Sequence, residues 1–213
     1  PYSGREAFTN PSAPVYFLGL NPGGDPNDGI HTDTVRDSLK EMWGEDAPDD
    51  YSGYFDAIWG KGRGRGMNAP GASEKQQRIQ HVFQGLGLNL RTIPSSNLVF
   101  HRSATWDSFP YDRDEAYRDC VSFHVEVINA LDIRTIITTH DYTFRKVCEL
   151  VDADKHVATD YERNARRWQS VAMEGNQGCR VLRVPHFSRS KWNTPATDPT
   201  GFIRTFGHLE YAA

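Results

Sequence analysis

Val15-Tyr16-Phe17-Leu18-Gly19-Leu20 is a continuous apolar run of strand length, closed by Asn21-Pro22-Gly23-Gly24. A run with no polar alternation has no face to offer water, so it reads as a strand covered on both sides, and the sequence after it as a tight loop. Such a strand needs helices above and below it, and the downstream chain supplies them. Ser73 to Leu86 places Ile79, Val82, Phe83 and Leu86 at helical spacing behind Ser73 as N-cap. Thr92 to Phe100 reads as a second strand with Ser95-Ser96-Asn97-Leu98-Val99 near its carboxyl end. Asp112 to Leu131 repeats apolar residues at helical spacing, and the β-branched run Thr135-Ile136-Ile137-Thr138-Thr139 follows as a third strand. A helix around Tyr142 to Val151 and a last strand, Arg180 to Val184, lead into Pro185-His186-Phe187-Ser188. The alternation predicts an α/β chain, a single-domain three-layer α/β/α sandwich over residues 1–213 with a central, mainly parallel four-stranded sheet.

Composition narrows the partners. The 213 residues, 38% of them hydrophobic, suffice for one core, and no repeat or low-complexity linker divides them. Twenty-four Lys and Arg against 28 Asp and Glu leave a net charge of −4, which excludes a basic nucleic-acid coat and confines any DNA contact to a local patch. The mean hydropathy is −0.64 and no long uncharged apolar run occurs, so no membrane span is expected. The opening PYSGREAFTN lacks the charged-then-apolar order of a secretory signal, and the expectation is a soluble cytoplasmic protein. Cys120, Cys148 and Cys179 fit neither a CxxC site nor an even disulfide set, and His31, His101, His124 and His140 show no metal spacing. No metal and no cofactor are expected.

In parallel sheets, reactive groups collect where loops leave the carboxyl ends of the strands. Three polar motifs fall at such ends: Gly19-Leu20-Asn21-Pro22-Gly23, Asn97, and His186-Phe187-Ser188-Arg189. Between Tyr51 and Asn68, the aromatics Tyr54, Phe55 and Trp59 precede Lys61-Gly62-Arg63-Gly64-Arg65-Gly66. That tract reads either as a cradle for phosphates beside a base-stacking ring or as a solvated loop. Arg163, Arg166 and Arg167 near Trp168 form a second basic cluster, on a solvated helix or loop or in contact with phosphate.

Taken in order and spacing, GLNPGG after the first strand, SSNLV in the second and HFSRS after the last resemble the signature of the uracil-DNA glycosylase superfamily, over Val15 to Trp192. The first motif is most similar to the GINPG form of the mismatch-specific thymine/uracil branch, with Asn where the most active uracil enzymes carry Asp. The last is closer to the HPS form of other branches, with Phe187 in place of Pro. The resemblance implies a DNA glycosylase that hydrolyses the N-glycosidic bond of a flipped-out pyrimidine, uracil or a 5-substituted base, and leaves an abasic site. With no lysine in the three motifs the mechanism is expected to be monofunctional.

By that resemblance Asn21 and His186 are the catalytic residues. Asn21 orients water without deprotonating it, which predicts slow turnover. His186 stabilises charge on the departing base, although a histidine after a strand also serves to cap a loop carbonyl. Gly19, Leu20, Pro22, Gly23 and Asn97 would line the base pocket, with Phe55, Tyr54 or Trp59 stacking on the base. Asn97 has one acceptor and two donors for a pyrimidine edge, and its amide can point either way. Gly23 stands where the strongly uracil-selective branch has a bulky aromatic, so 5-substituents are expected to fit. Ser188, Arg189, Ser190, Lys191 and Trp192 would enter the minor groove, Arg189 or Trp192 filling the vacated stack, with Arg63 and Arg65 adding phosphate contacts; the alternative is Trp192 as core, with Arg189 and Lys191 solvated. The expected partner is double- or single-stranded DNA and the expected state a monomer. Two other readings remain: a catalytically weak or inactive binder of modified or single-stranded DNA, and a nucleotide-processing enzyme using GLNPGG for phosphates. The latter lacks both GxxxxGK[ST] and a carboxylate pair for magnesium.

Overall fold

β1, Val15–Gly19, is the covered strand that its apolar run demands. A computed structural model describes it together with residues 2–24, 39–40, 42–59 and 69–209. A short helix α1, Arg5–Thr9, precedes β1, and α2, Glu74–Leu86, follows with Ser73 and Gln76 closing a capping box. β2 is Ser95–Asn97, α3 Arg113–Ala130 behind the N-cap Asp112, β3 Thr135–Thr138 and α4 Asp141–Leu150. β4, Lys155–Tyr161, and β5, Gln169–Glu174, form a hairpin before β6, Arg180–Arg183, and α5, Thr200–Phe206.

The sheet runs β2-β1-β3-β6-β5-β4. Its first four strands are parallel, with Phe17 opposite Ser95 and Ile137, and Ile137 opposite Leu182. β5 and β4 are antiparallel additions to that core. Alternate residues of each central strand feed opposite cores. Val15, Phe17, Ile137 and Leu182 pack with Ile79, Val82 and Phe83 of α2 and with Phe202 and Ile203 of α5. Tyr16, Leu18, Ile136 and Val181 pack instead with Ala116 and Val127 of α3 and Val147 of α4.

The sheet therefore has six strands, not the expected four. The four foreseen are its parallel part, and the β4–β5 hairpin was missed. β4 reads Lys-His-Val-Ala-Thr-Asp-Tyr and lies at the sheet edge, its residues exposed or half-buried, so burial imposes no period-2 pattern on it. The second strand is also shorter than expected, although Leu98 and Val99 continue the pairing through N–H bonds of 2.9 Å to the carbonyls of Gly19 and Leu20. All three cysteines are free thiols. Among the described residues no helix is long and apolar enough to cross a membrane, and no group of His, Cys, Asp and Glu is arranged to hold a metal.

His124 on α3 is fully buried between the Tyr16 hydroxyl, 2.9 Å from Nδ1, and the Leu98 carbonyl, 3.0 Å from Nε2. A carbonyl only accepts, so Nε2 carries the proton and Tyr16 donates to Nδ1. Burial holds this imidazole down at about 4. As pH falls through about 6.5 the unfolded chain takes up a proton that the folded chain refuses until about 4, so stability is lost in that window. The cost reaches about 3 kcal/mol at 1.36 kcal/mol per unit. Denaturant unfolding at stepped pH should show this slope, and it should be flatter in His124→Gln.

Candidate functional site

Asn21, Asn97 and His186 leave the sheet at the carboxyl ends of β1, β2 and β6, and β3 runs between β1 and β6. The amide nitrogen of Asn21 donates to the Ser103 hydroxyl at 2.8 Å and to the carbonyls of Pro22 at 3.2 Å and His101 at 3.3 Å. Ser103 in turn donates to the Thr105 carbonyl at 2.9 Å, so its oxygen can only accept from Asn21. The amide orientation follows from its partners. The NH₂ is spent on the loop, and the carbonyl oxygen accepts no hydrogen bond among the described residues. A half-buried acceptor held this way can bind a water but cannot take its proton.

Asn97 is 6% exposed, and its amide nitrogen lies 3.1 Å from the hydroxyl of Tyr2. A hydroxyl both donates and accepts, so Tyr2 leaves either amide orientation open. Gly19 sits opposite Asn97 across the ladder, and a Cβ at Gly19 would fall 2.5 Å from the Asn97 carboxamide oxygen. Only glycine lets that side chain lie over β1. Tyr2 arrives through the amino-terminal segment, whose N–H bonds the Ser95 carbonyl at 2.7 Å, and its ring meets Tyr54 at 5.5 Å and Trp59 at 5.6 Å. Burial raises its phenol above the ordinary range, so it stays protonated.

The Nδ1 of His186 accepts the Ser188 backbone N–H at 3.1 Å and lies 2.7 Å from the Ser188 hydroxyl. Because a backbone N–H can only donate, Nδ1 is the bare nitrogen and Nε2 bears the proton. Burial, followed by the neighbouring charges of His140, Lys75 and Arg189, lowers His186 to about 4. At neutral pH it is an uncharged donor through Nε2–H. Its ring stacks on Phe187 at 4.3 Å, Phe187 meets Trp192 edge-on at 5.6 Å, and the Trp192 indole donates to the Pro185 carbonyl at 2.7 Å. Phe187 thus holds the imidazole by stacking where a proline would stiffen the turn.

His140 follows β3 and caps α4, its Nδ1 accepting the Tyr142 N–H at 3.2 Å. Burial also holds it below the usual imidazole range. Beyond β2, the segment 101–111 carries an aromatic shelf: Trp106 contacts Phe109 at 4.7 Å, Tyr142 at 5.0 Å and His140 at 6.3 Å, while Tyr111 contacts His101 at 4.9 Å. Three buried polar atoms at this end of the sheet, Thr139 Oγ1, His101 Nδ1 and Arg102 Nε, find no partner among the described residues. Native folds leave few such groups unpaired, and those they leave call for a ligand or water.

The remaining expected residues divide. Leu20 is buried, Pro22 half-buried and Gly23 exposed with nothing within 4 Å of a Cβ built on it. Phe55 has the Arg91 guanidinium 5.0 Å from its ring centre, so one face is taken, and Tyr2 rather than Phe55 reaches Asn97. Trp192 is fully buried and Ser190 is 2% exposed, its hydroxyl donating to the Glu162 carboxylate, so neither presents itself to a strand. Of that loop Ser188, Arg189 and Lys191 are exposed. Arg63 and Arg65 lie outside the described residues, as does His31. Sequence reading passed over Tyr2, which no motif marks. It also passed over His140 and the shelf, which the density of aromatics from Phe100 to Tyr111 could have flagged. Two surface hollows, of about 510 Å³ beside Tyr51 and Asp56 and about 470 Å³ beside Phe144 and Cys148, are lined by none of Asn21, Asn97 and His186.

Neither the comparison with protein-family models nor that with curated proteins finds a match to this chain.

Proposed function

We propose that this chain is a monofunctional DNA glycosylase of the uracil-DNA glycosylase type, hydrolysing the bond between deoxyribose and a flipped-out pyrimidine to leave an abasic site. The observation that carries the reading is a complementary pair at the carboxyl ends of β1 and β6, which flank β3. Asn21 offers a carbonyl oxygen with its NH₂ tied down, and His186 offers an Nε2–H with its Nδ1 tied down. Cleavage of an N-glycosidic bond places positive charge on the sugar and negative charge on the base. A neutral, fixed donor against the base carbonyl stabilises the second without first having to lose its own proton. The water held by Asn21 then attacks a sugar already largely dissociated, and its proton passes to solvent. Asn97 reads the pyrimidine edge, and because the Tyr2 hydroxyl accepts or donates, its amide can present either its oxygen or its NH₂ to the base. The architecture proposed to carry this activity is a three-layer α/β/α sandwich acting as a monomer. Its three free cysteines suit a reducing cytoplasm.

Duplexes carrying uracil, mismatched thymine, hypoxanthine or a 5-modified pyrimidine, incubated with the protein and then treated with alkali, test the reading through strand breaks at abasic sites. Tight binding without breaks on any of them would favour the silent binder, which the lack of a proton-accepting group at Asn21 also suits.

The base range turns on Gly23. A side chain there meets open space, so Gly23→Phe is expected to fold with an unchanged melting temperature. The ring should narrow the panel by lowering cleavage of 5-substituted bases at least about tenfold relative to uracil, since a steric wall of this size outweighs about 1.4 kcal/mol. Equal losses on both substrate classes would remove Gly23 from the pocket wall.

A further inference from the structure

The β4–β5 turn is docked onto the loop that carries His186. Glu162 is 9% exposed, and its carboxylate receives the Ser190 hydroxyl and, at 2.8 Å, the Asn164 amide. Arg163 N–H reaches the Ala196 carbonyl at 2.8 Å, and the Arg166 guanidinium approaches the Arg189 carbonyl at 3.5 Å. The turn is internally rigid. Asn164 Oδ1 accepts the N–H groups of Arg166 and Arg167 at 2.9 and 3.1 Å, and Arg167 is held at φ +48°, in the left-handed region that any residue with a Cβ rarely adopts.

What this rigid turn displays is charge. Arg163, Arg166, Arg167, Arg189 and Lys191 are exposed, and none of them makes an ion pair among the described residues. By contrast Arg5, Arg78, Arg91, Arg134, Arg180 and Arg183 are each paired with a carboxylate. The acid next to Arg163, Glu162, is buried and bonded to Ser190 and Asn164. Arg166 lies 4.9 Å over Trp168 and Arg167 5.3 Å over Tyr161, stacking that orders a guanidinium while leaving its N–H edges open. Arg102, Arg113, Arg118, Arg145 and Arg204 also make no ion pair among the described residues, so what sets this surface apart is the gathering of its cations on the turn and the docked loop, beside the proposed leaving-group donor.

We propose that residues 163–167, with Arg189 and Lys191, form a phosphate clamp that grips the backbone of the DNA strand passing His186. The inference rests on the nucleic-acid reading above and adds the surface that holds the strand. Arginine forks suit phosphate oxygens in bidentate geometry, and the stacked rings pre-order them. Each phosphate neutralised steepens the salt dependence of binding by about 0.7 on single strands and about 0.9 on duplex, and each contact removed makes it shallower by the same amount.

The test is the salt titration of binding by the full chain to labelled, undamaged single-stranded and duplex oligonucleotides, followed by fluorescence anisotropy. The R163Q/R166Q/R167Q variant should bind at least about tenfold more weakly at low salt, with a log–log slope shallower by about 2, and the matching triple lysine variant should keep the parent slope. Circular dichroism and melting establish that each variant is folded. If the triple glutamine variant fails to fold, R189Q/K191Q replaces it, with a slope shallower by about 1.5. A parent slope retained in the folded variant overturns the clamp, as does a parent protein that binds neither oligonucleotide. Parent protein captured by anionic phospholipid vesicles but not by DNA overturns it too. Because no target base is present, a clamp that fails here leaves base release on the substrate panel untouched, and a protein that cleaves nothing can still show the slope.

Discussion

Replacing His186 with alanine is expected to lower the rate of base release by about 10²–10³-fold, the loss typical of one removed oxyanion donor, or about 2.7–4 kcal/mol. Undamaged DNA should bind as before, because the clamp residues are untouched. The pH profile is the sharper readout. With Nδ1 occupied by the Ser188 N–H and the imidazole held down at about 4, the donor has the same uncharged form throughout the neutral range. Single-turnover rates of the parent chain should therefore be flat from about pH 8 to about pH 5. A rate that rises several-fold as pH falls through about 6.5, the ordinary histidine value, would mean that the imidazolium is the working form and would overturn the tautomer assigned here. A rate in His186→Ala within a factor of two of the parent would remove the residue from the chemistry altogether.

The parallel core was legible because burial writes itself into sequence. Val15 to Leu20 and Thr135 to Thr139 are apolar or β-branched without interruption, and they occupy the two central positions of the parallel set. Ser73 and Asp112 announce their helices through capping chemistry that needs nothing beyond three neighbouring residues. β4 and β5 left no such trace. An edge hairpin is stabilised by pairing with the rest of the sheet, and its side chains are free to be Lys, His or Asp. Within the site the same division holds. Asn21, Asn97 and His186 stand out because strand ends followed by Asn-Pro-Gly or His-Phe-Ser are unusual, but their hydrogen-bonding directions depend on Ser103, Tyr2 and Ser188, two of which lie far away along the chain. Trp192, in a basic loop, reads from sequence either as a wedge or as core, and the fold decides for core: the ring is fully buried and meets Phe187, on which His186 stacks. The arginines of the β4–β5 turn were visible as a cluster, but their rigidity comes from Glu162 and Asn164, whose roles appear only when the hairpin is docked on the His186 loop.

Asn21→Asp separates the sequence argument from the structural one. A carboxylate at the end of β1 would supply a general base, and such groups contribute about 10²–10⁴-fold, so residue type alone predicts a faster enzyme. The geometry predicts the opposite at neutral pH. The Asn21 NH₂ serves three acceptors, and two of them, the Pro22 and His101 carbonyls, cannot become donors. An aspartate would set an oxygen 3.2–3.3 Å from both, repelling the ionised form; the Pro22 carbonyl keeps the Ser103 N–H at 3.2 Å, but the His101 carbonyl loses its hydrogen. Only the Ser103 hydroxyl can turn to donate, and it does so by abandoning Thr105. An unpaired buried acceptor costs about 1–3 kcal/mol, with the lower end applying at a half-buried site, and a lost hydrogen bond about 1 kcal/mol, so the orphaned His101 carbonyl and the broken Ser103–Thr105 bond together should make Asn21→Asp about 2 kcal/mol less stable than the parent. The same repulsion raises the carboxyl above its ordinary value and keeps part of it protonated, hence unable to act as a base. Single-turnover cleavage at pH 7 should fall at least about tenfold through the displaced loop, then climb with pH as the carboxylate ionises, whereas the asparagine enzyme has no group there to titrate. Melting curves and rates measured together from about pH 6 to pH 9 decide the matter. An aspartate variant that melts like the parent and cleaves faster at pH 7 would show that the NH₂ of Asn21 is not committed to the loop, and that its carbonyl oxygen is not the atom facing the water.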